Sequence, residues 1–191
     1  MAQLPKPLQP VAEFAYLTGW RVHSEILPLE WRNVDLKASV VTLEPGTTKN
    51  GEGRTLYLTA ALRTLLEARQ RVSDELKARD QIVPQVFHRN GKPIRHFYKA
   101  WKVACEAAGC PGKLLHDFRR TAVRNYVRAG IPERVAMALS GHKTRAVFDR
   151  YDIVSPGDLQ AAAATLDHAA GTIAGTISPS ATVARFGRRK K

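Results

Sequence analysis

Cysteine is scarce in this chain. Cys105 and Cys110 are the only two in 191 residues. Two thiols cannot frame a disulfide scaffold, and two cysteines five apart make no zinc site without further ligands nearby. They fit a reducing cytoplasm. Long apolar runs are missing as well: no stretch approaches the roughly 20 residues of a membrane span. The first ten residues, MAQLPKPLQP, hold three prolines and no apolar run, unlike a secretory signal. Acidic residues are the third shortage, with 17 Asp and Glu against 30 Lys and Arg, which leaves a net charge of +13. A surplus of that size points to a polyanionic partner, DNA or RNA, or less often an anionic membrane surface. A merely basic protein is the bland alternative. Hydrophobic residues at 44% and charged ones at 25% describe a globular chain with enough length for one sizeable domain.

The pattern along the chain is mainly helical, interrupted by a short stretch of strand periodicity. Residues 1 to 10 read as a loose lead-in. Val11, Phe14, Ala15 and Leu17 share an apolar face that Gly19 ends, and Ser24 is placed to cap a second helix. The period then changes. DLKASVVTLE, with Val40, Val41 and Leu43, reads as a strand, PGTTKNGEG as a turn, and GRTLYLT as a second strand. Together they predict a small antiparallel sheet with Lys49 near its turn. Residues 60 to 79 are helical by composition, and PQVFHRNGKP is a break. RHFYKAWKVACEAAG, LHDFRRTAVRNYVRAG and PERVAMALSG are helices that each end at glycine, with Pro132 opening the third. TRAVFDRYD is a further short helix ending near Tyr151. Pro156 starts a last one, DLQAAAATLDHAA. The remaining tail is small, β-branched and basic, and is expected to be extended. The chain contains no internal repeat. The fold class expected is α+β, mainly helical with a small antiparallel sheet.

Two motifs carry candidate chemistry. In HDFRR, residues 116 to 120, His116 and Arg119 stand three apart and share a helix face, while Phe118, Ala122 and Tyr126 form a different, core-facing stripe. A cationic pair on an apolar-backed helix suits a bound phosphate. A structural salt bridge of Arg119 and a helix-end cap by His116 are the plain alternatives. In GHKTRAVFDRY, residues 141 to 151, His142 sits at a helix junction and Tyr151 lies nine residues further on. From Lys113 to Arg150 there are nine Lys or Arg residues and three acidic ones. A tyrosine there is either a buried ring with its hydroxyl bonded or a nucleophile. Free tyrosine titrates near 10, so a phenolate needs cations or a base beside it. Trp31, Phe97 and Trp101 read as core, His88 and His96 as surface or cap residues, and Glu25 and Asp117 as carboxylates that orient an Arg or His.

Taken in order, these residues resemble the catalytic domain of the tyrosine recombinase (phage integrase) family. The likeness runs from about residue 8 to 168. It opens with LTGWRVHSEILPLEW, whose Arg21 matches the family's first catalytic arginine. It continues with Lys49 of GTTKNGEGR, matching the hairpin lysine, and with His116 and Arg119 of LHDFRRT, matching the His-x-x-Arg box. His142 of LSGH matches the last histidine, and Tyr151 of FDRY the nucleophile. The resemblance implies that Tyr151 attacks a DNA phosphate to leave a 3′-phosphotyrosine. Arg21 and Arg119 would clamp the non-bridging oxygens, Lys49 would protonate the departing 5′-oxygen, His116 would exchange the tyrosine proton, and His142 would donate to a phosphate oxygen. It implies double-stranded DNA as partner, a homo-oligomer (a tetramer on DNA, with a monomer open without it), no cofactor, no metal and no membrane. The expected location is cytoplasmic, with the nucleoid when bound to DNA.

Two departures from the family pattern stand out. Glu25 follows Arg21 by four residues where the common form has three, so one residue within VHS must be absorbed. The second is the expectation that the usual N-terminal core-binding domain is absent. The organisation expected is a lead-in or linker remnant over 1–10, a catalytic domain over 11–168 and a flexible basic tail over 169–191. DLQAAAATLDHAA is a candidate to pack on a neighbouring protomer, with packing back on its own domain as the plain alternative. Three other functions stay open at this point: a DNA-binding remnant or regulator that keeps the fold, a type IB topoisomerase, and, more distantly, an RNA-binding structural protein.

Overall fold

The computed structural model describes residues 1–46, 51, 53–151, 154 and 156–176, with side chains described through residue 170. The chain divides into two compact units, Met1–Ile153 and Val154–Lys191. Among the described residues no helix is long and apolar enough to cross a membrane.

The first unit is built on helix α1, Gln9–Thr18. Val11, Ala12, Phe14, Ala15 and Thr18 are its buried positions, the spacing of one helical face. Phe14 meets Trp20 and Phe87 edge-on, with ring centroids 5.7 and 5.4 Å apart, a geometry favoured by the ring quadrupoles. The lead-in is not loose. Lys6–Leu8 form a 3-10 turn, and Leu4 and Leu8 are each 3% exposed within the main core. Two leucines at helical spacing and prolines that limit the chain's freedom give this segment reason to dock.

The sheet has the order β1-β2-β3, antiparallel throughout. It comprises β1 Val34–Asp35, β2 Val40–Leu43 and β3 Arg54–Tyr57. The expected strands correspond to β2 and β3, and β1 is an addition too short for periodicity to reveal. Val41 pairs with Leu56, and both side chains are buried. Helix α2, Ala60–Lys77, is capped by Thr59, whose side chain accepts from Leu62 N.

The break at residues 84–93 contains a hairpin of β4 His88–Arg89 and β5 Lys92–Pro93. It corrects the reading of His88 as a surface or cap residue. His88 is 2% exposed. Its Nδ1 accepts from Gly91 N, and its Nε2 faces Ser73 Oγ of α2 at 3.2 Å. Burial, helped by the charge of Arg69, lowers its pKa to about 4. Phe97 is buried, and Trp31 and Trp101 are partly buried against the same core, as expected.

Four further helices follow among the described residues of this unit: α3 Tyr98–Ala107, α4 Asp117–Arg128, α5 Glu133–Ser140 and α6 Arg145–Phe148. Pro132 stands at the N-cap of α5, just before its first turn. A small second cluster, Val123, Ala136 and Phe148, joins α4, α5 and α6, with Tyr126 and Tyr151 packed against it. The second unit contains helix α7, Pro156–Thr176. It runs well past the expected DLQAAAATLDHAA, so the boundary expected at residue 168 falls inside a helix. Residues 177–191 of the expected tail lie outside the described residues.

Candidate active site

Two helix ends aim at one arginine. Helix α1 stops at Gly19 (φ 64°) and α5 at Gly141 (φ 70°), both in the left-handed conformation that glycine adopts without penalty. Both glycines are also crowded. A Cβ on Gly19 would lie 2.9 Å from Ala122 Cβ, and one on Gly141 would lie 2.5 Å from Arg54 Cζ. These turns present their carbonyls to Arg119 of α4. Its Nη1 donates to Gly19 O at 2.9 Å and its Nη2 to Gly141 O at 3.3 Å. Carbonyls at a helix C-terminus carry partial negative charge, which offsets the burial of a guanidinium only 2% exposed. One proton on each terminal nitrogen remains for a ligand. Burial, followed by the charge of Arg21, lowers the Arg119 pKa to about 10, so it stays cationic at neutral pH.

The third donor of Arg119, Nε, points at His142 Nε2 at 3.2 Å. Ser140 Oγ donates to Ala136 O at 2.7 Å, so it can only accept from His142 Nδ1, also 2.7 Å away. That places the ring proton on Nδ1 and the lone pair on Nε2. Burial, then Arg119 and Arg21, lower the His142 pKa to about 3 and keep the ring neutral. His142 was expected to donate to a phosphate oxygen. In this arrangement its Nε2 instead accepts from Arg119 and fixes the guanidinium.

Arg21 follows the end of α1 and is held by Glu25. The carboxylate accepts from Arg21 N at Oε2 and from Arg21 Nη1 at Oε1, each at 2.7 Å. The extra residue between them is absorbed by a five-residue π-turn, Val22–Ile26. Within it Ile26 N donates to Arg21 O and Leu27 N to Val22 O, both spanning five residues. A π-turn accommodates one added residue without breaking the helical ladder. Ser24 lies inside this turn, with Arg21 at the N-cap and no side-chain cap bond, so the expected Ser24 cap does not form.

His116 stands at the N-cap position of α4 and makes no cap bond with its side chain. Its Nε2 lies 2.7 Å from the Tyr151 hydroxyl. Burial and the charges of Arg119, Arg120 and Arg21 push its pKa below the ordinary histidine value. A neutral imidazole can then accept the phenol proton. Tyr151 follows α6, with its N–H donating to Phe148 O, and its ring lies 4.8 Å from that of His142. The structure therefore gathers Arg21, His116, Arg119, His142 and Tyr151. The sixth candidate, Lys49, lies outside the described residues, on the segment joining Leu43 of β2 to Arg54 of β3.

Arg54 belongs to the same cluster and was missed. Its Nη2 donates to Glu25 Oε1 at 2.7 Å, and its guanidinium carbon lies 5.2 Å from the centroid of the Trp20 ring. The signal was its parity: in β3, Arg54 shares a face with buried Leu56, where a charge requires a partner. The assembled chemistry is a hydroxyl bonded to a neutral base amid fixed guanidinium groups. It is suited to nucleophilic attack at an anionic, phosphate-like centre.

Known proteins share both the sequence and the fold. The integrase of Salmonella phage P22 is 27% identical over 183 residues, covering 92% of this chain and 46% of that protein. The shufflon-specific DNA recombinase of Escherichia coli is 28% identical over 130 residues, covering 66% of this chain and 30% of that one. This chain thus spans less than half the length of either. Among solved structures, XerA recombinase superposes with a TM-score of 0.63 at 18% identity, covering 84% of this chain and 62% of its own. A lambda integrase tetramer bound to a Holliday junction gives 0.59 at 18% identity, covering 78% and 43%. The sequence model of the Phage integrase family matches residues 2–156, and the chain belongs to that family.

Proposed function

We propose that this chain is a site-specific DNA recombinase domain that cleaves and rejoins DNA strands through a 3′-phosphotyrosine. The observation that carries this reading is the 2.7 Å contact between the Tyr151 hydroxyl and His116 Nε2, beside the buried guanidinium of Arg119. A pure binding protein has no use for a tyrosine held against a neutral base.

In this reading the Tyr151 oxygen attacks the scissile phosphorus as His116 takes its proton. Arg119 and Arg21 meet the non-bridging oxygens, where negative charge grows in the transition state. Lys49 protonates the departing 5′-oxygen. The phosphotyrosine bond replaces the broken phosphodiester bond, so a 5′-hydroxyl from another strand can reverse the step without an external energy source. His142 serves by fixing Arg119.

The substrate is double-stranded DNA, consistent with the net charge of +13. The recombinase works as a homo-oligomer on that DNA, in the compartment that holds it. Leu159 and Leu166 of α7, 65% and 70% exposed, are the apolar positions we assign to a neighbouring protomer. Mixing the chain with nicked suicide duplexes tests the reading. A covalent protein–DNA adduct is expected, and Tyr151→Phe abolishes it.

A further inference from the structure

We propose that Arg54 is a positioning residue of this site: it holds Glu25, and through Glu25 it sets the charge and aim of Arg21. The proposal rests on the cleavage reading above and extends it to a residue outside the matched set.

Four observations support it. First, Arg54 and Arg21 share one carboxylate oxygen, since Nη2 of Arg54 and Nη1 of Arg21 each lie 2.7 Å from Glu25 Oε1. The side chains of Glu25, Arg54 and Arg21 are 0%, 9% and 23% exposed, so water does little to screen the Glu25–Arg54 pair. Second, Arg54 is locked in place. It lies over the Trp20 ring, and Gly141 leaves room for it where any Cβ would come within 2.7 Å of its Nη1 and Nη2. That contact ties Arg54 to the segment entering His142. Third, Arg54 opens β3, the strand that follows the Lys49 segment, so one side chain links that strand to both sides of the clamp. Fourth, Arg54 Nη1 is buried with no hydrogen-bond partner among the described residues. A buried donor left unpaired costs stability, so stability alone does not account for an arginine here.

The electrostatics give this arrangement its consequence. Alone, the Glu25 carboxylate would neutralise Arg21, the guanidinium assigned to the phosphate. Shared with Arg54, it is divided between two cations, and the cluster of Arg21, Arg54 and Arg119 keeps a net positive charge. The charge of Arg54 is felt further in, where it helps lower the pKa of both Arg119 and His142. Without Arg54, Glu25 would draw Arg21 toward itself and away from the phosphate.

The test uses the full chain, with a pool of nicked suicide duplexes to find the sequence it cleaves fastest. Single-turnover adduct formation and DNA binding are then measured separately. Arg54→Gln is expected to slow adduct formation at least about tenfold while changing DNA affinity less than about threefold. Arg54→Lys, which keeps a charged bond to Glu25, recovers part of the rate. In an Arg21→Lys background, Arg54→Gln costs less than about twofold further, because the residue it acts through is already altered. Full additivity of the two losses overturns the proposal, as does a lysine variant no faster than glutamine, or wild-type cleavage by Arg54→Gln. Should Arg54→Gln fail to fold, Arg54→Lys decides: wild-type speed from it contradicts any need for the guanidinium's shared contacts, and a partial loss non-additive with Arg21→Lys upholds them. An adduct from the wild type with no effect of Arg54 sinks this proposal alone. No adduct from the wild type on any duplex sinks the cleavage reading as well.

Discussion

Arg119 Nε lies 3.2 Å from Nε2 of His142, and the direction of that hydrogen bond is set further back, at Ser140. The serine hydroxyl donates to Ala136 O and accepts from the Nδ1–H of His142, which leaves Nε2 as an acceptor. A helix-end hydroxyl thus fixes the tautomer of one residue and the rotamer of another.

This chain of bonds predicts how His142 tolerates substitution. His142→Gln, whose carbonyl can still accept from Arg119, should keep more cleavage activity than His142→Phe, which fills the space without an acceptor. The phenylalanine variant should lose about 10-fold to 100-fold. Single-turnover adduct formation measures both, and equal rates would show that acceptance from Arg119 is immaterial.

In the proposed reaction, His116 as the base gives the pH profile its shape. Its pKa lies below 6.5 because burial and three arginines disfavour the imidazolium. The base is therefore in its working, neutral form at pH 7, and adduct formation should fall only as the pH drops through that lowered value. A rate that is already falling between pH 8 and pH 7 would contradict a neutral His116.

His88 predicts acid sensitivity of the fold. It titrates near 4 when folded against an ordinary 6.5, so protons favour the unfolded chain between those values. Stability contributed by keeping His88 neutral is complete above about pH 6.5 and is lost as the pH falls toward 4. The loss is on the order of 3 kcal/mol. Urea titrations across that range should show the decline, and His88→Gln should flatten it. An unchanged slope in the variant would show that His88 is not the group responsible.

Glu25 anchors both Arg21 and Arg54 from a fully buried position. Removing one partner of a buried ion network leaves uncompensated charge, so Glu25→Ala should destabilise the fold by about 3–5 kcal/mol. Equilibrium unfolding measures it. A loss below about 1 kcal/mol would mean that the two guanidinium groups find water once the carboxylate is gone.

Much of this was legible in the sequence, and the exceptions share a cause. Helices α1 and α4 follow from apolar spacing and glycine stops, α2 from its composition, and strands β2 and β3 from alternation. The lead-in was misread because its three prolines outweighed the single i, i+4 pair of Leu4 and Leu8, both of which are buried. His88 was misread because its burial depends on a hairpin docking over α2, a contact between segments that no local pattern records. The extra residue before Glu25 was visible, but its accommodation by a π-turn was not, since that turn has no composition of its own. Arg54 was within reach: a charge at an inward strand position is a local anomaly that calls for a buried partner. The bonding of His142 to Arg119 and Ser140 was out of reach, because the sequence names the ring but not the atom that carries its proton.

The central claim is that Tyr151 is the nucleophile of a DNA-cleaving site. The most direct measurement is denaturant-resistant protein–DNA adduct on nicked suicide duplexes, with the attachment site mapped by peptide mass analysis. The account predicts adduct through Tyr151 at a DNA 3′-phosphate, none with Tyr151→Phe, and DNA binding by that variant close to wild type. An adduct that persists in Tyr151→Phe, or maps to another residue, would contradict it.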